Sequence, residues 1–209
     1  MRARRLVLAS SSTARLRVCR QAGIDPEVIV SGVDEDAEGL VTEVAVTVLA
    51  QRKASAVAER SPGSLVLGCD SLLDLDGSTF AKPASEAEAV RMWELLAGRT
   101  GTLFTGHCLI DGSNRRASDV AATKVHFGSP TEEELAAYVS SGEPMTLAGA
   151  FSIDGLGAPF IEGIDGDASN VLGLSLPLLR KMLAELGIRI FDLWRTPISP
   201  TPSLADPDQ

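Results

Sequence analysis

The chain begins with a strand, a helix and a second strand in close succession, and this order constrains its fold most. Leu6 to Ala9 is a short apolar run, and Thr13 to Ala22 has the spacing of an amphipathic helix that ends at Gly23. Glu27 to Ser31 has the pattern of the next strand. Strand and helix therefore alternate from the start, as is typical of α/β proteins.

The rest of the chain continues this pattern. A long helix is predicted from Thr42 to Arg60, and the apolar run from Leu65 predicts a buried strand with Asp70 at its end. Asp76-Gly77 then predicts a hairpin turn. Two further helices are predicted, each with a capping box: one starts at Ser85 with Glu88 and runs to Ala97, and one runs from Glu132 to Ser141 with Thr131 and Glu134 as its box. The remaining predicted elements are two long strands and a last helix: Thr102 to Ile110, Ala117 to Phe127, and Ser175 to Leu186.

A proline-rich segment ends the chain. Pro197, Pro200, Pro202 and Pro207 follow one another closely, so residues 197–209 are predicted to be a disordered tail. No sharp change of composition marks a second independent domain before it. With 209 residues, 44% of them hydrophobic, the chain is long enough for a core of its own. Residues 1–196 are therefore predicted to form one domain with two lobes.

Charge and composition narrow the classes of function. The net charge is −9 and the sequence pI about 4.7, which disfavours a general nucleic-acid or membrane-surface binder. The apolar run after MRARR is too short for a signal peptide, and no stretch has the length of a membrane span, so the expected location is the cytoplasm.

The cysteines and histidines disfavour disulfides and a zinc site and restrict where a catalytic triad could lie. Cys19, Cys69 and Cys108 are widely spaced and odd in number, which predicts reduced core thiols rather than disulfides or a zinc site. His107 and His126 are the only histidines, so a Ser-His-Asp triad would depend on one of these two residues.

The first strand leads into a group of residues suited to an anion. Ser10, Ser11, Ser12 and Thr13 supply hydroxyls at the start of the first helix, and Arg15 adds a guanidinium. Free N–H groups and the helix dipole favour a phosphate at such a place, and a guanidinium can bind two phosphate oxygens. Hydroxyl residues also cap helices as a structural role, so both interpretations stay open for each of them.

Four more polar residues lie at the ends of predicted elements. Glu35, Lys53, Asp70 and Lys82 could face a cleft together with Arg15, although a solvated, capping or loop role fits each one taken singly. Arginine supplies most of the positive charge, because only four of the 19 basic residues are lysines: Lys53, Lys82, Lys124 and Lys181. A lysine is therefore the less usual choice in this chain. The phosphate-binding patterns GxxxxGK[ST] and GxGxxG are absent from the sequence.

Five ordered motifs resemble one known family. They are LVLASSSTAR at 6–15, QRKASAVA at 51–58, LGCDSLLDLDGSTFAKP at 67–83, LAGRTGTLFTGHCLI at 96–110, and YVSSGEPMTLAGAFSIDGLGAPFIEGIDGDASNVLGLSL at 138–176. The chain is identified by these motifs as similar to the Maf family of nucleoside triphosphate pyrophosphatases. The resemblance implies a mixed α/β fold with an elongated sheet and two lobes around a central cleft, related to the inosine triphosphate pyrophosphatases. It also implies hydrolysis of a nucleoside triphosphate to the monophosphate and pyrophosphate.

The resemblance also implies roles for individual residues. Asp70 matches the catalytic aspartate, and Glu35 matches an acidic residue of the cleft. Mg²⁺ or Mn²⁺ is expected to be held through these two carboxylates, and the role of Asp70 is expected to be that of base, metal ligand or both. The substrate-binding residues it implies are Ser10, Ser12, Arg15, Lys53, Lys82 and Asp154. The family usually has Ser-Pro-Arg-Arg where this chain has Ser12-Thr13-Ala14-Arg15, and usually glutamine or glutamate where it has Asp154.

Three functions remain open on the sequence. The favoured one is a metal-dependent pyrophosphatase acting at the α-phosphorus of a standard or modified nucleotide. A non-catalytic nucleotide-binding regulator of cell division is the second, supported by Ala14 in place of an arginine. A phosphatase that releases orthophosphate is the third. The expected partner is a nucleoside triphosphate, without nucleic acid or membrane, and a homodimer is one option for the assembly.

Overall fold

The computed structural model describes residues 5–195, and the predicted tail at 197–209 lies outside them. The strands are β1 (Leu6–Leu8), β2 (Glu27–Val28), β3 (Leu65–Leu75), β4 (Ser78–Phe80), β5 (Thr100–Ile110), β6 (Arg116–Phe127) and β7 (Ile161–Asp165). The α-helices are α1 (Thr13–Gln21), α2 (Thr42–Arg60), α3 (Glu86–Leu96), α4 (Glu132–Ser140), α5 (Ala168–Val171) and α6 (Leu176–Glu185). Short 3₁₀ helices lie at Glu143–Thr146, Ala148–Ala150, Ala158–Phe160 and Ile190–Leu193.

The seven strands form one mixed sheet in the order β2-β1-β3-β5-β6-β7, with β4 paired to β3. β1 is parallel to both β2 and β3, because α1 crosses from one parallel strand to the next. β3, β5 and β6 are antiparallel and have 11, 11 and 12 residues, which makes the sheet long. The predicted mixed α/β fold with an elongated sheet is confirmed.

A gap interrupts one side of β3. The parallel pairing with β1 ends where Leu8 lies opposite Leu67, and the pairing with β4 begins where Phe80 lies opposite Leu73. Between these points, the described part of the chain provides no strand partner on this side of residues 69–72, whereas β5 pairs with them on the other side. The sheet gap at residues 69–72 is therefore a place where a ligand can approach the middle of a central strand.

The two largest hydrophobic cores of the described residues lie along the sheet. The first core joins β1, α1 and α6 and includes Leu8, Val18 and Leu179. The second joins α3, α4 and the ends of β5 and β6 around Trp93, whose indole packs edge-on against Phe127 and donates from Nε1 to a backbone carbonyl. The long strands β3, β5 and β6 contribute residues to both cores, so one sheet supports both of them. The division of residues 1–196 into two lobes stays a prediction.

Helix α2 packs over the middle of the sheet at very close range. A Cβ atom on Gly68 would lie 2.4 Å from the backbone oxygen of Ala50, and one on Gly106 would lie 2.2 Å from that of Val46. Side chains at these two strand positions would therefore push the helix away. The close approach brings Lys53 of α2 within reach of β3.

The structure corrects three details of the predicted elements. Asp70 lies inside β3 rather than at its end, because β5 pairs with β3 along nearly its whole length. The second strand is only Glu27–Val28. The Ser85 hydroxyl accepts from the Glu88 N–H as predicted, but the Glu88 carboxylate accepts from the Ala84 N–H, so the reciprocal box is shifted by one residue.

The predicted capping box of α4 and the predicted hairpin turn are confirmed. Thr131 and Glu134 form the reciprocal capping box of α4. The turn at Asp76-Gly77 has positive φ at both residues (51° and 84°), as a tight hairpin requires. The three cysteines are buried and unpaired, and burial raises the pKa of the Cys69 thiol to about 12. Within residues 5–195, no helix has both the length and the apolar character needed to cross a membrane.

Candidate active site

Lys53 joins two carboxylates at the sheet gap. Its Nζ lies 2.5 Å from Oδ1 of Asp70 and 2.7 Å from Oε1 of Glu35. Lys53 and Asp70 are buried, whereas the Glu35 side chain is 63% exposed and approaches from the loop before α2. Three of the predicted site residues therefore meet in one cluster, which we call the acid–lysine cluster: Glu35, Lys53 and Asp70.

Arg15 is the centre of a second cluster. The guanidinium is buried and donates from Nε to the Gly173 carbonyl (2.7 Å), from Nη1 to Ser10 Oγ (3.1 Å) and from Nη2 to Ser71 Oγ (2.8 Å). All these acceptors are neutral, and within residues 5–195 no carboxylate pairs with Arg15. A buried charge without a counter-ion is costly, so this arrangement favours an anionic ligand.

Hydrogen-bond capacity remains for that anion. A guanidinium carries five N–H groups, and the contacts just described use three, so one is left on each terminal nitrogen. Ser10 Oγ accepts from both Arg15 and the Ser12 N–H, which leaves its own proton available. Ser12 caps α1 by accepting from the Arg15 N–H, which is the structural role considered above, and within residues 5–195 its own proton has no acceptor.

The two clusters meet at consecutive residues of β3. Side chains alternate between the faces of a strand, so Asp70 points to the α2 face and Ser71 to the face of α1. Both residues lie in the sheet gap, where β3 has no neighbour on one side. An anion in the gap can therefore be approached by Lys53 from one face and by Arg15 from the other.

Two predicted substrate residues lie outside these contacts. Lys82 is exposed two residues beyond β4, the strand that borders the gap, and forms no hydrogen bond or ion pair with the described residues. Asp154 is an ion-pair partner of Arg17 on α1, and its Oδ1 accepts from the Ser152 hydroxyl at 3.0 Å. Their roles towards a substrate stay predictions.

Sequence reasoning missed the residues that hold Arg15. Ser71 follows Asp70 in the GCDS motif, so a hydroxyl beside the predicted catalytic acid was a usable signal. Gly173 was not predicted because its role depends on a backbone carbonyl after α5, a helix of four residues in a glycine-rich region. Thr105 contacts Ser71 only because β3 and β5 pair in a register that places them opposite each other.

Two residues of the acid–lysine cluster could hold a divalent cation together with a substrate. Asp70 and Glu35 offer hard oxygen ligands close to the same ammonium group. In the described residues there is no group of three or more His, Cys, Asp or Glu side chains suited to a metal ion. Mg²⁺ is commonly held by one or two carboxylates together with substrate phosphates and water, so two carboxylates are sufficient.

The two histidines lie in different surroundings, and His107 serves a structural role. His107 is buried in β5, where Nδ1 lies 2.9 Å from the Thr105 carbonyl and Nε2 accepts from the Ser175 N–H at 3.0 Å. His126 is close to Thr100 and Asp165 at the other end of the sheet. With both ring nitrogens of His107 bound to backbone groups, it cannot serve as the base of a Ser-His-Asp triad.

The burial of His107 predicts a loss of stability in acid. Burial lowers the pKa of His107 from 6.5 to about 4, so between these values the unfolded chain binds a proton that the folded chain does not. The contribution of the neutral imidazole to stability is complete above pH 6.5 and is lost as the pH falls towards 4; at pH 4.5 the loss has reached about 2–3 kcal/mol. In urea unfolding, His107→Gln should therefore lose less stability than wild type between pH 7 and 4.5. Equal losses in the two proteins would contradict this assignment.

Comparison with known proteins identifies the family. A family model described as Maf-like protein matches residues 5–186. A nucleoside triphosphate pyrophosphatase of Streptomyces avermitilis is 57% identical over 195 residues, covering 91% of this chain and 95% of the relative. Another protein of that name, from Salinispora tropica, is 51% identical over 208 residues, covering 95% of this chain and 92% of the relative.

Two solved structures show a distant likeness to this chain. The Staphylococcus aureus Ham1 protein aligns with a TM-score of 0.44 and 17% identity, over 60% of this chain and 72% of that protein. A nucleoside-triphosphatase, dITP/XTP pyrophosphatase, from Mycobacterium abscessus aligns with a TM-score of 0.39 and 14% identity, over 88% of this chain and 96% of that protein. Both TM-scores are below 0.5, so these alignments support no conclusion about function. From the family match and the similar sequences, this chain belongs to the family of Maf-like proteins.

Proposed function

We propose that this protein hydrolyses a nucleoside triphosphate to the monophosphate and pyrophosphate by attack of water at the α-phosphorus. The observation that carries this proposal is the buried Arg15 guanidinium, without a carboxylate partner in residues 5–195, next to the Asp70–Lys53 pair. The names of the similar proteins from Streptomyces and Salinispora support the same activity. The net charge of −9 supports a free nucleotide, rather than nucleic acid, as the ligand.

In this proposal, the basic residues of the gap neutralise the triphosphate. The two unused N–H groups of Arg15 and the free proton of Ser10 bind phosphate oxygens. Lys53 approaches from the α2 face with a buried ammonium, and because Asp70 and Glu35 offset its charge, a divalent cation is needed before this cluster becomes net positive. These groups are already in place before substrate binds, so they stabilise the charge that develops on the leaving pyrophosphate without rearranging.

Asp70 is the proposed acceptor of the proton from the attacking water. Lys53 holds its Oδ1, while Oδ2 accepts no hydrogen bond from residues 5–195. The ion pair therefore orients the carboxylate and leaves one oxygen for water. We further propose that Asp70 and Glu35 hold Mg²⁺ or Mn²⁺, which supplies Lewis-acid stabilisation of the phosphate oxygens when bound.

The direct test is to identify the released anion. Purified protein is incubated with a panel of standard and modified nucleoside triphosphates, with Mg²⁺, Mn²⁺ or a chelator, and pyrophosphate and orthophosphate are measured separately. We expect metal-dependent pyrophosphate release. Orthophosphate alone would indicate a phosphatase, and thermal stabilisation by nucleotide without either product would indicate a binding protein. Each of these two results would overturn the proposal.

Lys82 should contribute to substrate binding and not to stability. Its exposed position beyond β4 lets the ammonium reach the sheet gap without supporting any core contact. We expect Lys82→Met to raise KM by about tenfold or more, the effect of losing one charged hydrogen bond, with an unchanged melting temperature. Lys181→Met, an equally exposed change on α6, is the control and should alter neither quantity. An unchanged KM in Lys82→Met would remove this residue from the site.

A further inference from the structure

A chain of hydroxyl groups leads from Arg15 into the protein interior. Ser71 Oγ, which accepts from Arg15, lies 2.9 Å from Thr105 Oγ1, and Thr105 Oγ1 lies 3.4 Å from the backbone carbonyl oxygen of Asn170 in α5. Thr105 and Asn170 are completely buried. The guanidinium is therefore connected to α5 through two side chains, the partly buried Ser71 and the completely buried Thr105.

The direction of these hydrogen bonds follows from the chemistry at each end. A guanidinium can only donate and a carbonyl can only accept. Because Ser71 accepts from Arg15, its own proton is available to Thr105, and the proton of Thr105 is then available to the Asn170 carbonyl. Each hydroxyl donates once and accepts once in this direction, so the whole chain is satisfied in one arrangement.

A second connection joins Arg15 to the same carbonyl. Arg15 Nε donates to the Gly173 carbonyl at 2.7 Å, and the Gly173 N–H donates to the Asn170 carbonyl at 2.8 Å. Gly173 has a φ of 92°, and a Cβ atom there would lie 3.1 Å from Arg15 Nε, so glycine allows this close approach. The Asn170 carbonyl is thus the common end of two connections to different nitrogens of one guanidinium.

Asn170 is itself fixed to the sheet. Its amide Nδ2 donates to the Leu103 carbonyl in β5 at 3.2 Å and to Thr123 Oγ1 in β6 at 3.1 Å. Thr123 Oγ1 in turn donates to the Asp167 carbonyl at the start of α5. A helix as short as α5 has little stability of its own, so these bonds to two long strands hold it in place.

We propose that Thr105 and Asn170 are positioning residues that hold the Arg15 guanidinium with its two unused N–H groups towards the sheet gap. This inference rests on the proposed function of Arg15 as a phosphate ligand. A buried, preorganised guanidinium loses little conformational freedom when the anion binds, and small displacements of such a group reduce the rate. Thr105 is the better residue to test, because valine replaces its hydroxyl with a methyl group of similar shape.

The first experiment compares Thr105→Val with Thr105→Ser and with Thr42→Val. We expect Thr105→Val to lower kcat/KM for pyrophosphate release by roughly tenfold, the order expected for one lost hydrogen bond, and Thr105→Ser to restore most of it. Thr42→Val is the matched control, because Thr42 is a buried threonine whose hydroxyl contacts Asp74 and Thr79 and has no link to Arg15. A similar loss of activity in Thr42→Val would point to general destabilisation and overturn the inference.

A double-mutant cycle tests whether Thr105 acts through Arg15. Lysine lacks the planar fork of arginine, so the hydroxyl chain cannot orient it in the same way. We therefore expect Thr105→Val to change kcat/KM by less than about twofold in the Arg15→Lys background, since coupled residues are not additive. A full tenfold effect in that background would mean that Thr105 acts independently of Arg15.

A third readout does not depend on activity. NMR of the ¹⁵N-labelled Arg15 side chain should show restricted rotation of the guanidinium in wild type and faster rotation in Thr105→Val. Unchanged rotation would overturn the positioning role even if the protein is an active pyrophosphatase. Wild-type protein that releases no pyrophosphate, yet shows this change in rotation, would instead overturn the proposed function.

Discussion

Replacing Asp70 with asparagine is expected to reduce pyrophosphate release by about 10²- to 10⁴-fold, the usual effect of losing a positioned general base. Asparagine has nearly the same shape but cannot take a proton from water. Its side-chain oxygen can still accept from Lys53, which also keeps its contact with Glu35. We therefore expect the fold to persist, with a melting temperature within a few degrees of wild type.

The measurement is kcat with saturating Mg²⁺ and substrate, together with the circular dichroism spectrum and the melting temperature. Asp76→Asn is the matched control, because it is the same chemical change in the hairpin turn that follows β3. Asparagine tolerates the left-handed backbone at this position, so activity should stay close to wild type. If Asp70→Asn keeps more than about a tenth of the wild-type rate, Asp70 is not the base.

The second large effect is expected at a glycine rather than at a polar residue. Gly106 lies opposite Asp70 in the β3–β5 register, and a Cβ atom there would lie 2.2 Å from the Val46 backbone oxygen of α2. The obstructing oxygen belongs to the helix backbone, which cannot rotate aside as the end of a side chain can. Helix α2 must therefore move outward. We expect Gly106→Ala to cost roughly 3 kcal/mol, the upper range for overpacking. For a chain of this size, that corresponds to a decrease in Tm of about 6–12 °C.

Gly106→Ala should also reduce activity, since moving α2 carries Lys53 away from Asp70. Thermal unfolding and pyrophosphate release should therefore decline together. Gly163→Ala is the control, because its Cβ would lie 3.7 Å from the His126 ring, an ordinary contact distance. A Gly106→Ala protein as stable as wild type would show that α2 can adjust, and the close packing would then not explain the position of Lys53.

The local chemistry of the sequence predicted most elements of the fold. Capping residues predicted the starts of α3 and α4, and the pair Asp76-Gly77 predicted the hairpin, because each signal depends on neighbours in the chain. The length of β3 was not predictable in the same way. Asp70 follows an apolar run that resembles a complete strand, and only pairing with β5 carries the strand on to Leu75.

The candidate site was likewise predictable only in part. Hydroxyls, an arginine and an acid near the ends of predicted elements indicated Ser10, Arg15 and Asp70 from the sequence alone. The sheet gap was not predictable, because it results from where β1 and β4 stop pairing with β3. The support of Arg15 by Gly173 was also hidden, because the residues are 158 positions apart and the acceptor is a backbone carbonyl.

Hydrolysis in ¹⁸O-labelled water tests the central claim most directly, because pyrophosphate release alone does not show which phosphorus is attacked. Under single-turnover conditions, the label enters the product that carries the attacked phosphorus. Attack at the α-phosphorus, as proposed here, predicts ¹⁸O in the nucleoside monophosphate and unlabelled pyrophosphate. Label in pyrophosphate or orthophosphate, with an unlabelled monophosphate or diphosphate, would contradict the account.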